Sequence, residues 1–275
     1  MIVQHNMQAS ISNRNLGISE DMSSKSTEKL SSGYRINRAG DAAAGLSISE
    51  KMRSQIRGLN QASTNAQNGI SLIQTAEGAL NEVHSIIQRM DELSVQAAND
   101  TNVSADRSAI AKEITQLTTE ITRIATTQFN KQNLLNGSLS DCNLQVGANK
   151  GQNIKFKIAT MTATELGLAT TAADLAKAMS TYTNATAYIE KVQKALETVS
   201  GQRSDLGAIQ NRLEHTIANT DVAAENTQSA ESLIRDVDMA SEMVTYSKYN
   251  ILQQAGQSML AQANQATQGV LSLLQ

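Results

Sequence analysis

Residues 59–97 read LNQASTNAQNGISLIQTAEGALNEVHSIIQRMDELSVQA, and this stretch decides the fold. Steps of three and four residues alternate without a slip through the ladder Leu59, Ala62, Ala66, Gly69, Ile73, Ala76, Leu80, Val83, Ile87, Met90, Ser94 and Ala97. Only Gly69 and Ser94 in this ladder are not apolar. Such spacing predicts one narrow stripe along a single helix of about 60 Å, at about 1.5 Å per residue. A helix of that length requires partner helices to cover its stripe.

The composition favours a rod of thin helical seams over a thick globular core. The chain has 275 residues, no proline, no tryptophan and only 3% aromatic residues, so the large side chains that fill a deep core are scarce. A hydrophobic fraction of 40% is enough to bury a sizeable area along helix pairs. The net charge of −3 gives no basic excess to displace counterions, which argues against nucleic acid as a partner.

The chain shows no targeting, membrane or catalytic signal. Its N-terminus lacks a basic segment followed by an apolar run, and nowhere do 18 apolar residues follow one another, so we expect neither a cleavable signal peptide nor membrane insertion. His5, His84 and His215 lie far apart and show no metal-ligand spacing. Cys142 is the single cysteine. No triad, phosphate loop or CxxC motif is present, so we expect no enzyme, cofactor, catalytic residue or metal site.

Helical patterns occupy both ends of the chain. A first helix is expected over roughly residues 3–32, and the ladder helix from about 43 to about 99. Turn-forming residues at 99–102 predict a hinge, after which Ser104 is placed to cap a second helix with its hydroxyl. This second helix should pack antiparallel on the ladder helix. The expected fold class is mainly α, a long antiparallel helical hairpin or coiled-coil rod.

The middle of the chain differs in kind. Asn136-Gly137 is a strong turn signal, and apolar residues then alternate with polar ones at Leu144, Val146, Ala148, Ile154, Phe156 and Ile158. This pattern predicts a small β-hairpin over 144–158, followed by surface loops over 159–181. A helical period returns at Tyr182 and is expected to continue to the terminus with one interruption, with a phase change at 200–203.

Several separate motifs carry a resemblance to a known family. They are KSTEKLSSGYRIN at 25–37, DAAAGLSIS at 41–49, QNGISLIQTAEGAL at 67–80 and VLSLLQ at 270–275. In this order they resemble the terminal signatures of bacterial flagellins, and the likeness covers both ends and nearly the whole chain.

The resemblance implies a structural subunit that polymerises into the flagellar filament for motility. It implies an inner terminal coiled-coil layer formed by residues 1–42 and 236–275, and a helical rod domain over 43–235. The outer variable domains of longer flagellins are expected to be absent. It further implies export in unfolded form by the flagellar type III system, without a cleavable signal, to an extracellular filament.

The implied partners are further copies of the chain, a flagellar export chaperone at the C-terminal region, and the filament cap and junction proteins. Two alternatives stay open: a filament-junction protein and a secreted helical adhesin. Glycosylation of the exposed Ser and Thr residues in the middle of the chain stays open too.

Thin apolar stripes at the two ends are the expected polymerisation surface. The candidate residues are Val3, Met7, Ile11, Val237, Val244, Ile251, Ala255, Met259, Val270, Leu273 and Leu274. Such stripes bury too little area to offset the ordering of the backbone in a monomer, so we expect residues 236–275 to be unfolded until assembly. Contacts that do not close on themselves then give an open helical polymer.

The segment 88–96 is similar to the rod segment of many flagellins that the vertebrate innate-immune flagellin receptor recognises. The candidate receptor contacts are Gln88, Arg89, Glu92, Leu93, Gln96 and Glu113. By the resemblance, Arg89 would bind through charged hydrogen bonds and Leu93 would fill an apolar pocket. Asp91 and Ser94 depart from the commonest pattern of strong recognition. The alternative is that the segment only packs against the next subunit.

Overall fold

The computed structural model describes residues 6–168 and 171–272, with side chains through residue 266. Helices dominate this part of the chain, which confirms the mainly α fold class. The helices are α1 (Met7–Ser32), α2 (Ala43–Ala97), α3 (Ser104–Ile124), α4 (Ala172–Ala178), α5 (Tyr182–Arg235) and α6 (Met239–Ser272). The strands are β1 (Gln128–Phe129), β2 (Gln132–Asn133), β3 (Cys142–Gln145) and β4 (Asn153–Phe156).

The chain divides into two compact units. Unit 1 combines residues 1–56 with residues 225–275, and unit 2 comprises Arg57–Ala224. The long helices α2 and α5 each contribute to both units. The expected division at 42/43 and 235/236 concerns layers of an assembled filament and stays a prediction.

The core of unit 2 follows the predicted ladder. All twelve ladder positions are buried, and the last eight, from Ile73 to Ala97, are 0% exposed. Ser94 fits among them because its hydroxyl donates to the Met90 carbonyl, at 2.6 Å, and leaves no unsatisfied donor. The same core contains apolar side chains of α3 and α5, such as Ile114 and Val192, so the partner helices that the ladder demands are present.

Helix α3 starts where the turn signal indicates, but its cap differs from the prediction. Ser104 is the first helical residue and not the cap; Val103 is the N-cap, and its N–H donates to the Asp106 carboxylate at 3.2 Å. Asp106 has the capping role because a carboxylate in the first turn reaches back to the N-cap amide. Arg89, near the end of α2, binds Glu113, at a similar distance from the turn on α3, so the two helices lie side by side in antiparallel order, as expected.

The predicted hairpin is present, but it spans 142–156 instead of 144–158. Strands β3 and β4 pair antiparallel, with Cys142 opposite Phe156 and Gln145 opposite Asn153. A second, two-residue hairpin of β1 and β2, which the sequence pattern did not reveal, turns through Asn130 and Lys131 at positive φ.

The expectation of surface loops over 159–181 is wrong. Four apolar residues in the first part of this stretch are buried: Met161, Ala163, Leu166 and Leu168. The seven-residue helix α4 then buries Leu175 completely, and the Thr171 hydroxyl caps it by accepting from the Asp174 N–H at 3.1 Å. An irregular backbone carries its apolar side chains at no fixed period, so pattern reasoning overlooked them.

Helix α5 is continuous through 200–203, where a phase change was expected. Gln202 is buried there; its amide accepts from the Ala159 N–H at 3.1 Å and donates to the Lys157 carbonyl at 3.3 Å. A polar residue thus occupies a core position because it satisfies the backbone of the segment after β4. The helical run is interrupted instead between Arg235 and Met239, where Asp236 bridges to Tyr34.

Candidate functional site

Unit 1 keeps its apolar side chains on the outside. Of the seventeen large hydrophobic residues exposed in the described part of the chain, thirteen belong to unit 1. Among its described residues, Ile36 alone is a buried hydrophobic. Monomeric proteins rarely leave so much apolar surface in one region, so this distribution indicates an interaction surface.

Helices α1 and α6 pair antiparallel within unit 1. The Asn6 amide donates to the Ala263 carbonyl at 3.0 Å, and the Ser26 hydroxyl donates to the Glu242 carbonyl at 3.3 Å. Between these two ends, the Gln253 amide donates to the Glu20 carboxylate at 3.3 Å. The two ends of the chain are therefore partners of each other.

The faces that meet in this pair consist largely of polar and small residues, with three leucines among them. The partly or fully buried positions of α1 include Ala9, Ser12, Leu16, Ser19, Ser23, Ser26 and Leu30, and those of α6 include Glu242, Tyr246, Tyr249, Gln253, Gly256, Leu260 and Ala263. Both sets advance in steps of three and four. A pattern of large apolar residues does not reveal these faces; the regular spacing of serine on α1 was the available signal.

The predicted apolar stripe of α6 is largely exposed. Val244 is 71% exposed, Ile251 66% and Met259 62%, and Ala255 is also exposed. Val244 and Ile251 lie two positions from the nearest residues that face α1, and two positions on an α-helix are about 200° apart. Ala255 and Met259 lie one position from Gly256 and Leu260 and are nevertheless exposed. The stripe is thus left uncovered by the intramolecular pair.

The same arrangement holds for α1, where Met7 and Ile11 are exposed. Exposed apolar residues that the prediction omitted lie on the same two helices: Ile18, Met22, Met239, Met243 and Leu252. Val237 is only half-buried, and its N–H donates to the Gly33 carbonyl at 3.0 Å. The candidates Val3, Leu273 and Leu274, and the side chain of Val270, lie outside the described residues.

A second candidate surface surrounds Arg89 on α2. The guanidinium donates to the Glu113 carboxylate from Nε at 3.2 Å and from Nη2 at 3.0 Å, and to Glu92 from Nη1 at 3.0 Å. The hydrogen bonds with Glu92 and then Glu113 raise the pKa of Arg89. Gln88 and Gln96 are exposed beside this cluster.

Leu93 is not part of that surface. It is 2% exposed and belongs to the core of unit 2, so its side chain is not available as the central receptor contact expected of it. The structure therefore brings together Arg89, Glu92 and Glu113 and removes Leu93 from the set. Burial of Leu93 follows from α2 being covered by more than one partner helix, which widens the buried stripe beyond the ladder.

The described residues form no metal site and no membrane span. Over residues 6–168 and 171–272, no group of three potential metal-ligating side chains comes together. None of the helices in the described range is long and apolar enough to cross a bilayer. Cys142 is a free thiol in β3, and its partial burial, with the nearby Asp141 charge, raises its pKa.

Comparison with known proteins accounts for both ends of the chain. The family described as bacterial flagellin N-terminal helical region matches residues 3–140, and the bacterial flagellin C-terminal helical region matches residues 189–274. A putative flagellar hook-associated protein from Vibrio parahaemolyticus has a similar structure, with a TM-score of 0.59 and 15% identity over 71% of this chain and 99% of that chain. At that identity the likeness concerns the fold alone.

Two relatives match from end to end. A flagellin of Halalkalibacterium halodurans is 56% identical over 275 residues, and flagellin FlaB2 of Treponema pallidum is 52% identical over 285 residues; both alignments cover all of this chain and all of the relative. Flagellins are structural proteins and not enzymes, and they make up the flagellar filament outside the cell. The chain belongs to the flagellin family, in a short form, and is a structural subunit of the bacterial flagellar filament.

Proposed function

We propose that the outward apolar stripes of α1 and α6 are the surface through which copies of this subunit polymerise. The observation that carries this proposal is that Val244, Ile251 and Met259 stay mostly exposed although α6 is already paired with α1. A stripe left uncovered by its own chain fits the same kind of stripe on further copies. Contacts of this kind need not close on themselves, and an open helical polymer results.

A matched pair of valine substitutions tests this assignment. Val244→Ser removes an apolar side chain from the stripe, whereas Val222→Ser removes one that is 56% exposed on α5 in unit 2. Burial of one valine contributes about 1.5 kcal/mol, so Val244→Ser should raise the monomer concentration left at equilibrium with seeded filaments about tenfold. Val222→Ser should leave that concentration within about twofold.

Electron microscopy of the seeded reactions completes the test. Long uniform filaments from the unaltered chain, with helical content of both variants unchanged by circular dichroism, are the expected result. Equal residual monomer for the two variants would place the assembly contacts elsewhere. If the unaltered chain adds only a few copies to seeds, or stays monomeric under every condition, the exposed stripes are not sufficient for polymerisation.

Export in unfolded form is the second part of the proposal. Among its described residues, unit 1 has a single buried hydrophobic, so little free energy opposes unfolding of the chain ends before secretion. A rapidly folding, stable domain fused to the C-terminus should arrest secretion, whereas an unstructured peptide of equal length should not. Secretion of both fusions to the same extent would contradict unfolded export.

The exposed stripe of α6 is also the surface proposed for the export chaperone, and the chain ends are those proposed for the cap and junction proteins. An apolar stripe on a helix suits a hydrophobic groove on a partner. The Val244→Ser variant should therefore bind a purified flagellar export chaperone more weakly than Val222→Ser does. Unchanged binding of Val244→Ser would separate the chaperone site from the assembly stripe.

The Arg89 cluster is proposed as the contact for the innate-immune flagellin receptor, with Gln88, Glu92, Gln96 and Glu113 around it. Three of the five N–H groups of the Arg89 guanidinium are engaged by Glu92 and Glu113, which leaves two for a partner. The two carboxylates hold the guanidinium in one orientation. Preorganised arginines of this kind are frequent centres of binding energy.

Arg123 provides a matched control for this contact. It is also exposed, and its Nε donates to the Glu120 carboxylate at 2.8 Å, three residues away on α3. Arg89→Ala should weaken binding to the purified receptor ectodomain by more than about tenfold, and Arg123→Ala by less than about twofold. If the two variants bind with equal affinity, the receptor assignment is wrong, and segment 88–96 serves only to pack against the next subunit.

A further inference from the structure

The turn at Asn136-Gly137 carries chemistry that filament assembly does not use. An asparagine side-chain amide followed by glycine can be attacked by the next main-chain nitrogen, because glycine has no Cβ to obstruct the approach. The chain contains two such pairs, Asn68-Gly69 and Asn136-Gly137, and both asparagines are exposed. Their backbones differ, and that difference decides which of them can react.

At Asn136 the side chain is folded back onto its own main chain. Its Oδ1 accepts from the Ser138 N–H at 3.0 Å and from the Ser138 hydroxyl at 2.6 Å. Since a main-chain N–H only donates, the atom it meets must be the amide oxygen, which fixes the orientation of the Asn136 amide. Both donors point at the atom on which negative charge develops when a nucleophile adds to the amide carbon.

The attacking group is also free. The Gly137 N–H makes no hydrogen bond within the described part of the chain. By contrast, Gly69 lies in the middle of α2, where its N–H belongs to the ladder of helical hydrogen bonds. Attack at Asn68 requires the helix to open first, whereas attack at Asn136 does not.

The fold retains glycine after Asn136. Gly137 has φ +87°, which is strained for a residue with a side chain, and a Cβ there would lie 2.4 Å from the Thr160 hydroxyl oxygen, so a larger residue would force a shift as well. Asn136 in turn holds the turn through its two bonds with Ser138. The features that build this turn are therefore the same features that make its amide reactive.

We infer that Asn136 is a self-modification site that converts to aspartate and isoaspartate. The Gly137 nitrogen bonds to Cγ of Asn136 and loses its proton, the C–N bond of the side-chain amide breaks, and ammonia leaves with a proton taken from solvent. Water then opens the resulting succinimide at either carbonyl. Opening at the Cγ carbonyl gives aspartate. Opening at the main-chain carbonyl gives isoaspartate, in which the main chain runs through Cγ.

The product changes a defined patch of the molecule. Either product adds one negative charge at the turn, and isoaspartate lengthens the main chain by one methylene between residues 136 and 137. The preceding Leu134 and Leu135 are fully buried, and the Leu135 carbonyl accepts from the Met161 N–H at 2.8 Å. The added charge and the longer main chain are therefore confined to the exposed turn, next to the buried residues Leu134 and Leu135.

The test uses the full-length protein and its own second Asn-Gly pair as the control. Protein is incubated at mildly alkaline pH, digested under acidic conditions and mapped by mass spectrometry, with electron-based fragmentation to identify isoaspartate. Native protein should show deamidation of Asn136 at least about tenfold faster than of Asn68, because opening of a helix centre is rare. In denaturant the two rates should converge.

Ser138→Ala provides the second measurement, since it removes one of the two donors to Oδ1 and leaves the main chain intact. In native protein, deamidation of Asn136 should be about fivefold slower in this variant, because one hydrogen bond to Oδ1 is lost. In denaturant, the variant and the unaltered chain should react at the same rate. Equal rates at Asn136 and Asn68 in native protein would overturn the inference. It would also be overturned if Asn136 stays unmodified in native protein but reacts in denatured protein. A native Ser138→Ala rate equal to that of the unaltered chain would remove Ser138 from the reaction.

Discussion

At the scale of single residues, the ladder of α2 makes position more important than residue type. Val83 and Val95 are the same residue on the same helix, yet Val83 is 0% exposed and Val95 is 55% exposed. Val83→Ala should lower the free energy of unfolding by about 2 kcal/mol, because it removes two buried methyl groups and leaves a cavity. Urea unfolding of the monomer measures this loss.

Val95→Ala is the control for that substitution. At an exposed position away from caps and ion pairs, it should change the free energy of unfolding by less than about 0.5 kcal/mol. A similar cost for both variants would mean that the side of α2 carrying Val95 is covered in the monomer.

Asp41 makes the stability of the turn before α2 depend on pH. Its carboxylate accepts from the N–H of Arg38 at 2.9 Å and from that of Asn37 at 3.1 Å, and these bonds, that from Arg38 first, lower the pKa of Asp41. A lowered folded-state pKa means that the stabilisation is present above the usual aspartate range and is lost as pH falls through the lowered value.

The amide chemical shift of Arg38 should therefore follow the Asp41 titration, with a midpoint below the usual aspartate range. In Asp41→Asn the Arg38 shift should show no such acid transition. A midpoint within the usual range would indicate that the bonds from Arg38 and Asn37 do not persist in solution.

Leu93 shows what a single-residue reading of the sequence can and cannot establish. The ladder predicted every one of its own twelve positions as buried, because a heptad repeat fixes one seam. Leu93 lies one position before Ser94, outside that seam, and its burial depends on how many helices surround α2. That number is a property of the tertiary structure, and no local spacing contains it.

At the scale of elements, α2 contains glycines in opposite settings. A Cβ on Gly58 would lie 2.8 Å from the Ala148 Cβ and 3.2 Å from its Cα, whereas nothing lies within 4 Å of a Cβ on Gly78. Gly78→Ala should stabilise the protein by up to about 1 kcal/mol through helix propensity alone. Gly58→Ala should destabilise it by about 1 kcal/mol, because the clash with the segment after β3 exceeds that gain.

Thermal unfolding of the two variants gives the comparison, with the unaltered chain as reference. Opposite shifts in Tm are expected. If both variants are stabilised, the segment around Ala148 moves away from α2 at little cost, and the hairpin is held to α2 less firmly than the distances indicate.

Regular elements were predictable from the sequence, and irregular ones were not. Helices α2, α3 and α5 follow from apolar periods, and the hairpin of β3 and β4 follows from alternation. Burial of Met161 and Leu175 has no such signal, because the backbone between them is irregular and α4 has only seven residues. The polar Gln202 in the core is equally unpredictable, since its partners are main-chain groups 43 and 45 residues away.

The candidate assembly surface was predictable only in part, for a related reason. Spacing identified the apolar stripe of α6, with Val244, Ile251 and Met259 at its centre. It did not identify which face meets α1, because Ser26 and Gly256 are neither large nor apolar. A contact face made of small residues can be recognised in a sequence only when it is known which helices are neighbours.

At the scale of the whole molecule, the two units differ in how much burial supports them. Unit 2 contains the continuous apolar core, whereas the described residues of unit 1 bury Ile36 as their only hydrophobic side chain. Ordering of each backbone residue costs about 1–2 kcal/mol, and apolar burial is the main term that offsets it. In an isolated subunit, α1 and α6 should therefore open far more often than the centre of α2.

Hydrogen exchange on the monomer and on the assembled filament tests that difference. In the monomer, amides of α6 should exchange close to the rate of an unfolded chain, while those of residues 73–97 should approach the protection set by global unfolding. In the filament, α6 should gain protection and residues 73–97 should change little, because only the stripe gains apolar partners. If α6 in the monomer is as protected as residues 73–97, the α1 and α6 pair is stable alone, and assembly cannot be what orders the chain ends.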